Sequence, residues 1–289
     1  MKHHTEHTKV GKLSKFGAGI GIAFTISGAS VAHAATPGAF EPPRDYQLVW
    51  ADEFDQPGLP DPKRWTFDTH RNKEGWYNNE KQYYASSRQQ NAVIRDGRLI
   101  IHARKESLPA EQDWGGQHYT SARLITRGLA EWTYGFFEVS AKMPCGKGTW
   151  PAIWTLGSGG RWPEDGELDI MEHVGSNPEY VSSAVHVSMG HAGQAFSGSM
   201  RVADACQRFH RYQMHWTPNG VTFGVNGQAF MRYPKTDVGS RGWPFDAPQY
   251  LLLNIAIGGD LGGPVDDAIF PVAMEVEYVR VYQNQWRRR

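Results

Sequence analysis

Cysteine is nearly absent: Cys145 and Cys206 are the only two in 289 residues. Two cysteines can form one bridge in an exported protein but not a disulfide framework, so the fold must rest on a buried core. Neither charge is in excess, since 30 Lys and Arg face 30 Asp and Glu. No basic block suits a nucleic-acid partner, and Arg287-Arg288-Arg289 reads as a solvated end. Long apolar runs are missing except at the start, where Lys2, Lys9, Lys12 and Lys15 lead into a Gly/Ser-containing apolar stretch from Phe16 to Ala32. Ala32-His33-Ala34 completes an A-x-A cleavage signal. Residues 1–34 are therefore expected to be an export signal, leaving a periplasmic or extracellular protein with no membrane anchor.

No internal repeat, low-complexity tract or Pro/Ser-rich linker divides the remainder. Residues 35–43 read as a flexible lead-in and 44–285 as one domain, expected to act as a monomer. Helical periodicity is also lacking. What the chain has instead is alternation: Leu99, Ile101 and Ala103 share one side of Arg98 to Arg104, and Phe137, Val139, Ala141 and Met143 one side of Phe136 to Met143. Val221, Phe223 and Val225 alternate up to Asn226-Gly227, a type I′ hairpin signal, after which Gln228 to Arg232 returns. Leu251 to Ile257 is almost continuously apolar, as in a strand covered on both faces, and Glu275 to Gln283 forms the last strand. The expected fold is all-β: a jelly-roll sandwich of two curved antiparallel sheets with an open cleft.

One octapeptide breaks the apolar pattern. Gly166-Glu167-Leu168-Asp169-Ile170-Met171-Glu172-His173 places three carboxylates within six residues of a buried-looking strand. Strict alternation sends Glu167 and Asp169 to one face but Glu172 to the other, with Leu168 and Ile170. A β-bulge at Ile170 or Met171 would return Glu172 to the acidic face. Two glutamates so placed match glycoside hydrolysis with retention, which needs a nucleophile and an acid/base ~5–5.5 Å apart. Four strand steps separate their backbones by roughly 13 Å, so curvature and long side chains must bring the tips together. Asp169 suits hydrogen bonding to the nucleophile, and its charge helps keep Glu172 protonated. A polar strand edge and a hard-cation site of carboxylate oxygens are the alternatives.

The surroundings favour a sugar polymer. Of 11 tryptophans, Trp150 and Trp154 flank Pro151-Ala152-Ile153, and Trp162 lies five residues before Glu167 in a Gly/Pro-rich loop. Aromatic faces stack on the C–H faces of pyranose rings while their edges stay near water. Gly75 to Tyr84 concentrates amide, charged and aromatic groups able to meet sugar hydroxyls, and Arg123 and His186 add polar groups on strands. His173, on the opposite parity to Glu172, reads as structural.

These segments resemble glycoside hydrolase family 16, and within it the laminarinase-type endo-β-1,3-glucanases. The likeness is carried in order by Gly75-Trp76-Tyr77-Asn78-Asn79-Glu80, Thr120-Ser121-Ala122-Arg123-Leu124, Gly148 to Trp154, Gly166 to Glu172, Val185-His186 and Tyr278-Val279-Arg280-Val281-Tyr282. The resemblance implies a retaining enzyme with Glu167 as nucleophile, Glu172 as acid/base and Asp169 assisting. It also implies substrate contacts from Asn78, Arg123, Trp150, Trp154, Trp162 and His186, a β-glucan substrate and no cofactor for catalysis. A structural calcium is often tied to an Asp in the family's last strand, where this chain has Glu277, whose longer arm could still reach an ion held partly by backbone oxygens near Glu53 and Gly97. A lectin that grips glucan without cutting it is the reading from another class, and the carboxylate row speaks against it. Mixed-linkage glucan, agarose and carrageenan are the other substrates considered, and no Arg/Lys cluster is present to meet sulfate.

Overall fold

The alternation along Arg98–Lys105 becomes a strand that buries Leu99, Ile101 and Ala103 and leaves Arg98, Ile100 and His102 part-exposed. The computed structural model describes residues 40–189, 195–235 and 239–284. The export signal, the lead-in up to residue 39, His191 and the triple-arginine tail lie outside them.

A ten-stranded sheet runs in the order Gln228–Pro234, Gly220–Val225, His210–Thr217, Gly135–Lys142, Val272–Asn284, Arg98–Lys105, Tyr119–Ser121 and Gln82–Tyr84. Tyr46–Asp52 joins it beside Val272–Asn284, and Ala92–Arg95 beside Arg98–Lys105. A seven-stranded sheet runs Phe196–Arg201, Tyr180–His186, Glu167–His173, Thr149–Gly157, Gln249–Ile257, Arg123–Ile125 and Thr66–Phe67. Between the two lies one core, in which Phe137, Val139, Trp216 and Phe223 meet Ile153, Leu168, Leu253 and Ile255. Each such side chain contributes roughly 1.5–3 kcal/mol by leaving water. This is the β-jelly-roll sandwich the alternation implies.

Asn226 and Gly227 both have positive φ, 51° and 82°, as a type I′ turn requires, and they connect Gly220–Val225 to Gln228–Pro234. Every residue of Gln249–Ile257 is buried. Among the described residues, helix is limited to Gly239–Gly242, Gly259–Gly262 and one 3-10 turn, Asp267–Ile269.

Two expectations change and a third is narrowed. The sheets are not wholly antiparallel, because Gln82–Tyr84 pairs in parallel with Tyr119–Ser121. The intervening segment contains the Ala92–Arg95/Arg98–Lys105 hairpin and is long enough for the crossover that parallel pairing needs. The lead-in is anchored at its end: the Phe40 N–H donates to the Gly227 carbonyl at 3.1 Å, and Glu41 grips Arg211 through two bonds of 2.8 Å. The carboxylates expected beside a structural calcium are engaged elsewhere. Both oxygens of Glu53 accept from Arg280, at 2.8 and 2.9 Å, and Glu277 accepts the Ser140 hydroxyl at 2.7 Å. A calcium there would have to be held by backbone oxygens near Glu53 and Gly97 and not by the Glu53 side chain.

Cys145 and Cys206 are disulfide-bonded, with Cα atoms 5.7 Å apart. The bridge ties the exit of Gly135–Lys142 to the segment before His210–Thr217, beside a hydrogen bond from the Met143 N–H to the Ala205 carbonyl.

Candidate active site

The strand register shows how the carboxylates come together. Against Thr149–Gly157, Glu167 faces Leu156, Asp169 faces Trp154, Met171 faces Ile153 and Glu172 faces Ala152, so Ile170 is the extra residue of a β-bulge. Against Tyr180–His186, Asp169 faces Ala184 and Glu172 faces Ser182, leaving Ser183 to span the irregularity. The Ser183 hydroxyl donates to the Ile170 carbonyl at 2.8 Å and satisfies the group the bulge displaces. Leu168, Ile170 and Met171 all enter the core, and Glu167, Asp169 and Glu172 line the opposite face of the sheet. His173 is buried, its Nε2 3.1 Å from the Pro178 carbonyl, in agreement with a structural role.

Two tryptophans reach these acids edge-on. The Trp162 indole N–H donates to Glu167 Oε2 at 2.7 Å, from a ring more than half exposed at the lip of the site. Trp150 donates in the same way to Glu172 Oε1 at 3.0 Å. His186 lies between two carboxylates, its Nε2 3.2 Å from Asp169 Oδ2 and 3.7 Å from Glu167 Oε1. Asp169 is hydrogen-bonded to Glu167. A bond between two carboxyl groups needs one proton, shared between them.

All three acids are held above the ordinary carboxylate range. For Glu167 the first cause is burial and the second is the charge of Asp169, opposed by His186 and the Trp162 N–H. Asp169 is raised by burial and then by the charge of Glu172. Glu172 is raised by burial alone among its leading causes, while Trp150 and His186 favour its anion. Burial, rather than the expected charge of Asp169, is therefore the main cause that raises Glu172.

A second cluster carries the groove across the sheet. The Trp154 indole N–H donates to Asn254 Oδ1 at 2.7 Å, and the Asn254 amide donates to the Tyr84 hydroxyl at 3.0 Å. Tyr84 in turn points to Glu80 at 3.5 Å, and Glu80 also accepts from Gln82 at 2.8 Å and Asn78 at 3.4 Å. Burial pushes Glu80 above its ordinary range. Arg123 stacks over Trp76 at 5.0 Å and Trp154 at 4.7 Å, and its Nε lies 2.9 Å from Asp68. With 6% of its surface exposed, Arg123 acts here as a support for Trp154. Asn78, exposed and with φ 56°, is joined to the cluster through Glu80.

All nine residues named from the sequence thus fall on this face or on the network behind it. Asn254 and Asp68 were missed, and Tyr84 was covered only as the end of the Gly75 to Tyr84 stretch. Asn254 had one signal, a lone amide inside the apolar run Leu251 to Ile257. Glu167, Asp169 and His186 present ligand atoms within 4.8 Å of one another, the donor set the cation reading asks for. Glu167, however, already accepts the Trp162 indole N–H and shares a hydrogen bond with Asp169, which suits a proton-transfer site.

Comparison with known proteins agrees with this geometry. The profile of Glycosyl hydrolases family 16 matches residues 79–279. A β-glucanase of Rhodothermus marinus is 48% identical over 253 residues, covering 82% of this chain and 85% of that protein. The crystal structure of a non-specific endo-β-1,3(4)-glucanase of family 16 superposes with a TM-score of 0.82 at 50% identity, over 87% of this chain and 97% of that one. The laminarinase structure from Rhodothermus marinus gives 0.77 at 43% identity, over 88% and 99%. The chain belongs to glycosyl hydrolases family 16 and is a glycoside hydrolase.

Proposed function

We propose that this enzyme cleaves internal β-1,3-glucosidic bonds of laminarin-type glucans by double displacement, with retention of configuration. The observation that carries the reading is the bulge at Ile170, which sets Glu172 on the same face as Glu167 and Asp169. Glu172, protonated, donates to the glycosidic oxygen as Glu167 attacks the anomeric carbon, giving a covalent glycosyl-enzyme through an oxocarbenium-like state. Asp169 and Trp162 hold Glu167 by hydrogen bonds, and His186 stands against both Asp169 and Glu167. Water then attacks; Glu172, now a carboxylate, takes its proton, and the Glu167 ester is released. Trp150, Trp154 and Trp162 offer ring faces to glucose units, with Arg123 and Asn78 supporting polar contacts on the Trp154 side. Export through residues 1–34, action as a monomer and a location in the periplasm or outside the cell belong to the same reading. Among the described residues no helix is long and apolar enough to cross a membrane.

The non-specific endo-β-1,3(4)-glucanase among the solved relatives supports a second reading on the same machinery, acceptance of mixed-linkage glucan. Digestion of laminarin, lichenan, agarose and carrageenan tests both. New reducing ends from laminarin with the wild type and none with Glu167→Ala are expected. Release from agarose or carrageenan alone would overturn the glucan reading, and binding of laminarin without release would make the protein a lectin.

A further inference from the structure

His173 follows Glu172 in the chain but pairs across the sheet with Val181, a core residue, so its ring points away from the acidic trough. That ring is 1% exposed. Its Nε2 lies 3.1 Å from the Pro178 carbonyl, an oxygen that can only accept, and therefore carries the ring proton. Nδ1 is left as a bare acceptor, buried and, among the described residues, without a hydrogen-bond partner. An orphaned buried acceptor is costly and rare. Its surroundings give it a use: a ring nitrogen of His173 and the sulfurs of Cys145 and Cys206 all lie within 4.8 Å of one another. While the sulfurs are bonded to each other they hold no ion. As thiolates, with the imidazole, they become a soft donor set of the kind zinc takes, unlike the carboxylate oxygens on the other face of the strand. The hydrogen bond to Pro178 meets a further demand of such sites, in which the ligating imidazole donates its other N–H to a carbonyl or carboxylate that fixes its tautomer. Tetrahedral zinc with arms of ~2.3 Å sets two sulfurs ~3.8 Å apart. Cysteines with Cα atoms 5.7 Å apart reach that spacing by side-chain rotation, and both are part-exposed, open to a reductant and an ion.

We infer that the thiol form of this protein binds one thiophilic divalent cation of the zinc class through Cys145 Sγ, Cys206 Sγ and His173 Nδ1, with water in the fourth position. The site opens by exchange with a dithiol, which is oxidised to its own disulfide as its two hydrogens pass to the Cys145–Cys206 bond and leave two thiols. The cation then displaces both thiol protons to solvent, because the thiolate is the ligand. Ion and disulfide are alternative clasps over the same two segments, and the ion adds a third, the strand that carries Glu172.

The test reduces the purified protein with dithiothreitol, removes the reductant by anaerobic gel filtration and titrates with cobalt(II) and zinc(II). Cobalt should bring up thiolate-to-metal charge-transfer bands and the intense visible bands of a tetrahedral site, saturating at one per chain and abolished by zinc; the oxidised protein should show neither. In His173→Gln the zinc affinity should fall at least about tenfold, since a lost ligand costs no less than the ~10–100-fold of a lost outer-shell partner. X-ray absorption of the zinc-loaded wild type needs no variant and should count two sulfurs at ~2.3 Å and one imidazole nitrogen at ~2.0 Å. Zinc should also raise the melting temperature of the reduced protein and not that of the oxidised one, and a reduced chain that opens should refold on zinc. No saturable zinc binding after reduction, a loss below tenfold in folded His173→Gln, a zinc shell without imidazole, or a reduced chain that zinc neither stabilises nor refolds would overturn the site.

Discussion

Trp150 Nε1–H donates to Glu172 Oε1 at 3.0 Å, joining the strand next to the bulge with the acid that the bulge re-aims. The bond favours the carboxylate form of Glu172 against the burial that raises it. Trp150→Phe keeps the ring and loses the donor, so the Glu172 proton is held more tightly. The basic limb of the pH–kcat/KM profile should move to higher pH, with kcat lowered several-fold because a stronger hold on the proton makes a weaker acid. Initial rates on laminarin across pH measure both effects, and a basic limb that stays put or moves down would deny Trp150 this role.

The acids of the site should weaken the fold. A carboxyl whose folded pKa lies above its unfolded value binds its proton more tightly in the folded state, so stability falls as pH rises from the ordinary carboxylate range through the folded value. Glu167→Gln removes the charge. Its melting temperature should match the wild type near pH 4 and exceed it at pH 8, by ~2–4 °C for each kcal/mol relieved. Scanning calorimetry at the two pH values checks the sign.

The bulge has its own support. Ser183→Ala leaves the buried Ile170 carbonyl without its side-chain donor, at a cost of ~1–3 kcal/mol. Because that carbonyl belongs to the residue that turns Glu172 outward, kcat should fall with stability, whereas an ordinary core truncation would spare it. Urea denaturation combined with kcat on laminarin separates the two.

Asn254 orients Trp154 from below, through one bond to the indole and one to Tyr84. Asn254→Ala should raise KM for laminarin about tenfold with a smaller change in kcat, since it loosens a binding ring rather than a proton-transfer group. Tyr84→Phe, which leaves the Asn254–Trp154 bond in place, should do less.

The acidic row was legible in the sequence because strand parity is strict: three carboxylates with Glu172 out of phase demand one extra residue, and Ile170 supplies it. The sandwich was legible for the same reason, through runs such as Arg98–Lys105 and the Asn226-Gly227 turn. Contacts set by side-chain direction across distant segments were not. Arg123 looked like a sugar ligand, yet its guanidinium is held between Trp76 and Trp154 with Asp68 at its Nε, a pairing over more than fifty residues that no local pattern encodes. Asn254 was hidden in an apolar strand. The parallel pairing of Gln82–Tyr84 with Tyr119–Ser121 was missed because three-residue strands leave no readable period. The ion pair of Arg280 with Glu53, which joins residues 227 positions apart, was equally hidden.

The central claim is that Glu167 and Glu172 share one trough and act by two displacements. Proton NMR of the first products released from laminaripentaose, read before mutarotation, tests it most directly. The account predicts a new reducing end in the β configuration; initial release of the α anomer would contradict it.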